Sequence, residues 1–236
     1  MTDVPDFSDQ AAAIAALRPS EYTAALIQVL QRQPARVCGA IVLEIGTGSG
    51  VVLAALGALG AASLCGVDVE AEAIESCSLF LRQLGYAEKS RLRCGDMWLP
   101  FAGERFDLIV ANLPHFAMDR VATGNRRSSW SSGGASGRDL LDPFLAGLAD
   151  RLAPGGRAVI THNAFVGLER SREIAARHGL ALRVAMTVLV YVPAEKLALM
   201  TRGVLAAEVG RTIHRYGPYT FAELHIVELD AAETSG

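Results

Sequence analysis

The chain lacks the cysteine spacing that would build a metal or disulfide scaffold. Its four cysteines, Cys38, Cys65, Cys77 and Cys94, show no C-x-x-C pattern and lie in or beside apolar segments. Buried reduced thiols are therefore expected, and no metal is implied. Positive charge is not in excess either: 22 Lys and Arg stand against 25 Asp and Glu, a formal net charge of −3. That balance argues against a protein built mainly to neutralise nucleic-acid phosphates. The start, Met-Thr-Asp-Val-Pro-Asp, has no basic-then-apolar pattern, so no export signal and a cytoplasmic location are expected. Internal repeats are missing too. The one long uncharged span, residues 45–67, matches a membrane helix in length alone. It carries glycines at 46, 48, 50, 57, 60 and 66 and polar Thr47, Ser49 and Ser63. A turn, a core helix and a second strand are expected there, and no membrane partner.

What is present is apolar and patterned. With 51 % hydrophobic and 20 % charged residues over 236 positions, the chain can bury one full core. Residues 42–50, Val-Leu-Glu-Ile-Gly-Thr-Gly-Ser-Gly, read as a buried strand entering a tight turn, with a helix after it. Glycines at 46, 48 and 50 admit backbone conformations closed to other residues and leave room for a ligand. The helix start that follows favours a negatively charged ligand group. A dinucleotide fingerprint G-x-G-x-x-G would need glycine at 51, where Val51 stands.

Ahead of this stretch, Ser8 and Ser20 are positioned to cap two helices, the second with Tyr22, Ala25, Leu26, Val29 and Leu30 on one face and a stop at Pro34. Residues 1–36 are expected to form a helical arm that packs on, or partly closes, the domain at 37–236. From residue 40 strands and helices alternate. Strands are expected at 40–45, 63–67, 91–94, 106–111, 157–161, 180–191 and 221–229, and helices at 51–59, 71–84, 140–152 and 166–178. Repeated strand–helix units predict an α/β fold whose mostly parallel sheet carries helices on both faces. Two stretches break the rhythm. Residues 116–138 are rich in Ser, Gly and Arg around Trp130, and 193–219 hold a helix at 195–207 followed by His214, Tyr216 and Tyr219. Either is long enough to shape a pocket, act as a lid or make an oligomer contact.

The G-x-G-x-G turn, with Glu44 two residues before it, resembles the first motif of class I S-adenosylmethionine-dependent methyltransferases. Phe-Asp-Leu-Ile-Val-Ala-Asn-Leu-Pro-His at 106–115 is similar to the Asn-Pro-Pro-Tyr segment of the N-methyltransferases, closest to the release-factor glutamine methyltransferase branch. Ser-Gly-Gly-Ala-Ser-Gly-Arg-Asp-Leu-Leu at 132–141 and Leu-Ala-Pro-Gly-Gly at 152–156 resemble further stretches of that branch. The likeness covers about residues 40–161.

The resemblance implies a Rossmann-like, seven-stranded sheet and S-adenosyl-L-methionine as cofactor. Its implied binding residues are Glu44, Gly46, Thr47, Gly48, Gly50, Asp68, Val69, Asp96, Met97 and Asn112. Glu44 would help hold the methionine amino group. At a strand end, the Asp68 carboxylate can accept from two ribose hydroxyls, or serve as a helix-start carboxylate. Glu70 can cap the next helix. Asp96 can accept from the adenine amino group while Met97 packs on the ring, or be a turn aspartate after glycine.

In the family the Asn side-chain oxygen and the next carbonyl grip the acceptor nitrogen, here Asn112 and Leu113. An amide nitrogen is a poor nucleophile, so two acceptors on its hydrogens would favour reactive geometry. This chain departs twice: Leu113 replaces the first Pro and relaxes the backbone, and His115 replaces an aromatic residue. His115 could take a proton near pH ~6.5, or be satisfied by a backbone partner. Thr161, His162 and Asn163, expected to face one side, can line the acceptor pocket. Arg120, Arg126, Arg127 and Arg138 could meet an acidic substrate or form a solvated loop. The expected activity is N-methylation of a small-molecule or peptide/protein acceptor. A nucleic-acid base is the rival acceptor, and a non-catalytic methyltransferase-like binding protein the rival of another class.

Overall fold

The computed structural model describes residues 19–118 and 131–232. The expected helix after Ser8, and Trp130, Arg120, Arg126 and Arg127, lie outside these residues. The first described helix, α1 (Glu21–Gln31), begins after Ser20, whose N–H donates to Thr23 Oγ1 at 3.4 Å. Its apolar stripe, Ala25, Leu26, Val29 and Leu30, is buried against Val159, Val190, Leu224 and Ile226 of the sheet.

Strands and helices then alternate: β1 (Ile41–Ile45), α2 (Val51–Ala58), β2 (Ser63–Asp68), α3 (Ala71–Gln83), β3 (Ser90–Cys94), β4 (Phe106–Ala111), α4 (Leu141–Leu148), β5 (Leu152–Asn163), α5 (Leu168–Arg177) and β6 (Leu180–Tyr191). Two short helices, α6 (Ala194–Ala198) and α7 (Arg202–Glu208), precede the hairpin of β7 (Ile213–Tyr216) and β8 (Tyr219–Ala231). The sheet order is β3-β2-β1-β4-β5-β8-β6, with β7 paired to β8. Strands β1 to β5 pair in parallel, and β8 runs antiparallel between β5 and β6. Alternate residues of the strands feed two cores: Leu43, Ile45, Ile109 and Ile160 pack with α4 and α5, while Val42, Leu108, Val110 and Val159 pack with α1, α2 and α3. This is the α/β, Rossmann-like architecture with helices on both faces.

The local differences have local causes. Beyond the seven strands on the main path there is an eighth, β7, turned back on β8 through Gly217 at φ +60°. Four residues with one buried side chain, Ile213, are too short to show an alternation. The helix expected at 195–207 breaks because buried Met200 bridges to Met118 and the Thr201 N–H donates to the Ala117 carbonyl at 2.9 Å. The fifth strand starts at Leu152, before Pro-Gly-Gly, which bulges inside it: the pairing jumps from Phe106↔Leu152 to Leu108↔Arg157. Cys65 and Cys77 are buried and free, whereas Cys38 and Cys94, expected to be buried, are exposed because they sit at element ends rather than on a core face. No helix among the described residues is long and apolar enough to cross a membrane.

Behind α1 lies a buried ion pair. Arg157 Nη1 donates to Glu228 Oε1 at 2.9 Å, with side chains 2 % and 8 % exposed. Gln33, just past α1, closes the group: it donates to Glu228 Oε1 at 2.6 Å and accepts from Arg157 Nη1 at 2.9 Å. Removing one partner strands the other charge in a dry interior, which costs more than the pair contributes. Glu228→Leu should therefore lower unfolding stability by about 3–5 kcal/mol. The double change Arg157→Met/Glu228→Leu should recover most of that loss; urea unfolding of the three proteins decides it.

Candidate active site

The carboxyl ends of the parallel strands gather the residues singled out in the sequence. Register pairs Ile45 with Val67 and with Ala111, so the glycine turn, Asp68 and Asn112 emerge side by side. The turn is stitched to β2: the N–H groups of Gly46 and Thr47 donate to the Val67 carbonyl at 2.8 and 3.2 Å. Gly48 N–H donates to Asp68 Oδ2, and Glu70 N–H to Asp68 Oδ1, each at 3.0 Å. Asp68 thus clamps the loop, with lone pairs left on both oxygens for further donors. Glu70 holds the N-cap position of α3.

Gly46 and Gly48 have φ of +76° and +49°, and a Cβ on either would meet nothing within 4 Å. Open space therefore lies in front of the turn. Gly50 serves packing instead, since its Cβ would come within 2.6 Å of Cys77 Sγ. Thr47 is buried too, its methyl group lying over Gly66. Beside this space stands Val69, 62 % exposed although apolar. Asp96 is exposed, and Met97 follows at φ +41°, the one positive φ outside glycine among the described residues. Such backbone strain, on the order of 1–3 kcal/mol, gathers at ligand sites. Met97 itself packs partly into the core. Glu44, 2 % exposed, keeps Oε2 without a partner. Burial, with Asp68 nearby, holds its carboxyl well above the usual range. A buried, unpaired carboxylate oxygen behind an open glycine turn fits the ammonium of an amino-acid group. The Asp68 lone pairs and the exposed Val69 fit a ribose.

On the other flank, Thr161 Oγ1 donates to Asn112 Oδ1 at 2.9 Å and fixes the amide. Leu113 turns its side chain into the core, and His115 Nδ1 donates to the Leu113 carbonyl at 2.5 Å. A carbonyl only accepts, so the proton is on Nδ1 and Nε2 carries the lone pair. That Nε2 is buried without a partner. Burial lowers the His115 pKa to about 4. His115 is therefore not the group titrating near 6.5 that its sequence position suggested; it stays neutral because charging it inside the core is costly.

Strand alternation separates the three residues expected on one side. Thr161 reaches Asn112, and Asn163 reaches His115 and Tyr22, whereas His162 points to the opposite face. His162 is fully buried and shares a hydrogen bond between Nε2 and Ser171 Oγ at 2.8 Å, and burial, then neighbouring His115, lowers its pKa to about 3. Arg138 is no solvated loop residue. It is 4 % exposed and donates to Asp142, Ser171 and the carbonyls of Val166 and Gly167, pinning its loop to α5.

Tyr22 and Lys196 belong to this flank, yet nothing in the sequence near the motif points to them. The Tyr22 hydroxyl donates to Asn163 Oδ1 at 2.8 Å, its ring meets His115 edge-on at 6.1 Å, and burial raises its pKa to about 12. Lys196 Nζ lies 4.6 Å from the centre of the Phe116 ring, and burial lowers its pKa. A buried-face tyrosine needs a hydroxyl partner, which is the one clue the sequence held for Tyr22.

A methyltransferase domain family matches residues 42–128. A release factor glutamine methyltransferase of Gloeobacter violaceus is 28 % identical over 60 % of this chain and 52 % of its own, so the chain spans about half the length of that relative. The human methyltransferase HEMK2 is 32 % identical over 58 % of this chain and 67 % of its own. Among solved structures, a putative RNA methyltransferase from Pyrococcus horikoshii has a TM-score of 0.61, covering 96 % of this chain and 98 % of that one at 17 % identity, a likeness of fold alone.

The buried imidazoles give the site a pH signature. Below pH ~6.5 the unfolded chain takes up protons that folded His115 refuses down to about 4. Stability is thus full above that range and falls as pH drops through it. His115→Phe should remove about 1.4 kcal/mol per pH unit of that slope between roughly pH 6 and 4. Urea unfolding at several pH values checks this; an unchanged slope would contradict the burial.

Proposed function

We propose that this chain, which belongs to the class I S-adenosylmethionine-dependent methyltransferases, methylates a nitrogen of a protein or peptide, either an amide or an amine. The carrying observation is the register that sets Asn112 beside the glycine turn, with its side-chain oxygen oriented by Thr161. S-adenosylmethionine, when bound, supplies an electrophilic methyl group on a sulfonium. Gly46 and Gly48 would bound its site, Asp68 would accept from the ribose, Glu44 from the amino group, and Val69, Asp96 and Met97 would enclose the adenosine side.

Displacement at a methyl group demands an in-line lone pair, so holding the acceptor nitrogen is the main task. Asn112 Oδ1 takes one hydrogen bond from Thr161 and has a second lone pair for an acceptor N–H. The Leu113 carbonyl, engaged once by His115, likewise keeps one. Both grips are neutral. The relatives' names, release factor glutamine methyltransferase among them, support a protein acceptor. A nucleic-acid acceptor is less favoured, since Arg138 is committed to the fold and the charge balance is acidic.

Incubation with methyl-labelled donor and fractionated cell extract tests the reading. Label should enter protein; label confined to nucleic acid or to small molecules would overturn it. Asn112→Ala should keep donor binding in equilibrium dialysis while transfer falls on the order of 100-fold. Undiminished transfer would remove Asn112 from its role.

A further inference from the structure

The motif at 112–115 departs from Asn-Pro-Pro-Tyr at two positions, and the structure joins them. Leucine at 113 leaves free a backbone torsion that proline would lock. Pro114 holds residue 113 in the extended region but leaves its φ free, so the direction of its carbonyl relative to Asn112 is still open. The one hydrogen bond His115 makes from its ring among the described residues goes to that carbonyl. The ring meets Tyr22 of α1 edge-on at 6.1 Å and His162 at 6.5 Å, and Asn163 Nδ2 donates to the His115 backbone carbonyl at 3.5 Å. Side chain and carbonyl therefore close a short ring across Pro114, anchored by a helix and a strand remote in sequence.

We propose that His115 is a positioning residue: its Nδ1–H pins the Leu113 carbonyl, supplying the stiffness lost with proline at 113 and directing the remaining lone pair at the acceptor nitrogen. This rests on the reading of 112–115 as the acceptor grip. It assigns the imidazole no proton transfer, because the ring nitrogen that would accept a proton is buried away from the pinned carbonyl. The two roles, pin and base, make opposite demands on substitution. A pin needs only an N–H two bonds from Cβ, which asparagine also has; a base needs the imidazole.

Two variants separate them, both compared with wild type for label transfer into protein and for donor binding. His115→Phe keeps a ring without the donor, and it removes an unsatisfied buried acceptor, so the fold should survive, as urea unfolding would confirm. Its transfer should fall about tenfold or more with donor affinity unchanged, whereas His115→Asn should stay within roughly threefold of wild type. Nitrogen-15 NMR of histidine-labelled protein should show the Nδ1–H tautomer at position 115 from pH 6 to 8. An Nε2–H tautomer, full transfer by His115→Phe, or equal loss in both variants would overturn the proposal. If wild type labels no protein, the methylation reading fails, and the tautomer still decides whether the pin exists.

Discussion

The Asp68 carboxylate is the constraint on which the site depends. It ends β2 and receives the N–H groups of Gly48 and Glu70, one on each oxygen, so it holds the glycine turn after β1 and the entry to α3 together. Hydrogen bonds to a charged acceptor are the stronger kind, each net about 1.5–3 kcal/mol. The turn is held open rather than folded inward, and the space before Gly46 and Gly48 remains. Parallel pairing then does the rest. With β2, β1 and β4 in register, the donor-side carboxylate, the glycine turn and Asn112 come out at one edge, where open α/β sheets place their ligands.

The two flanks of that edge differ in electrostatics. Beside the glycine turn, burial and then Asp68 hold the Glu44 carboxyl above the usual range, and its buried Oε2 has no partner. That arrangement suits a cationic guest. The flank that carries Asn112 is neutral: His115 is kept uncharged by burial, and Tyr22 keeps its proton for the same reason. A neutral grip orients an uncharged nitrogen without drawing charge into the core. Helix α1 belongs to this flank in both senses, since its stripe packs on the sheet and its first turn supplies Tyr22.

Much of this was legible in the chain. Period-two and continuous apolar runs located the strands of the main path, most closely the central β1, β2 and β4, because strands buried on both faces leave a strong apolar signal; the early start of β5 before Pro-Gly-Gly was missed. The positive φ and open space at Gly46 and Gly48, and the place of Asp68 at the end of its strand, were legible because turn geometry and strand ends are local properties. The packing role of Gly50 was not legible, since only the approach of Cys77 from α3 reveals it. The same blindness to distant partners hid the depressed His115, the burial of Arg138 and the contribution of Tyr22, which lies 93 positions before His115 in sequence. Sequence spacing also placed Thr161, His162 and Asn163 together, where the pleat divides them.

The central claim is that a sulfonium nucleoside lies across the glycine turn with its sugar on Asp68. Isothermal titration with S-adenosylhomocysteine, for wild type and for Asp68→Ala, tests it most directly. The account predicts one site per wild-type chain and an affinity on the order of tenfold to 100-fold weaker in the variant, as loss of charge-assisted hydrogen bonds requires. Absence of binding to the wild type, or equal affinity in the two proteins, would contradict it.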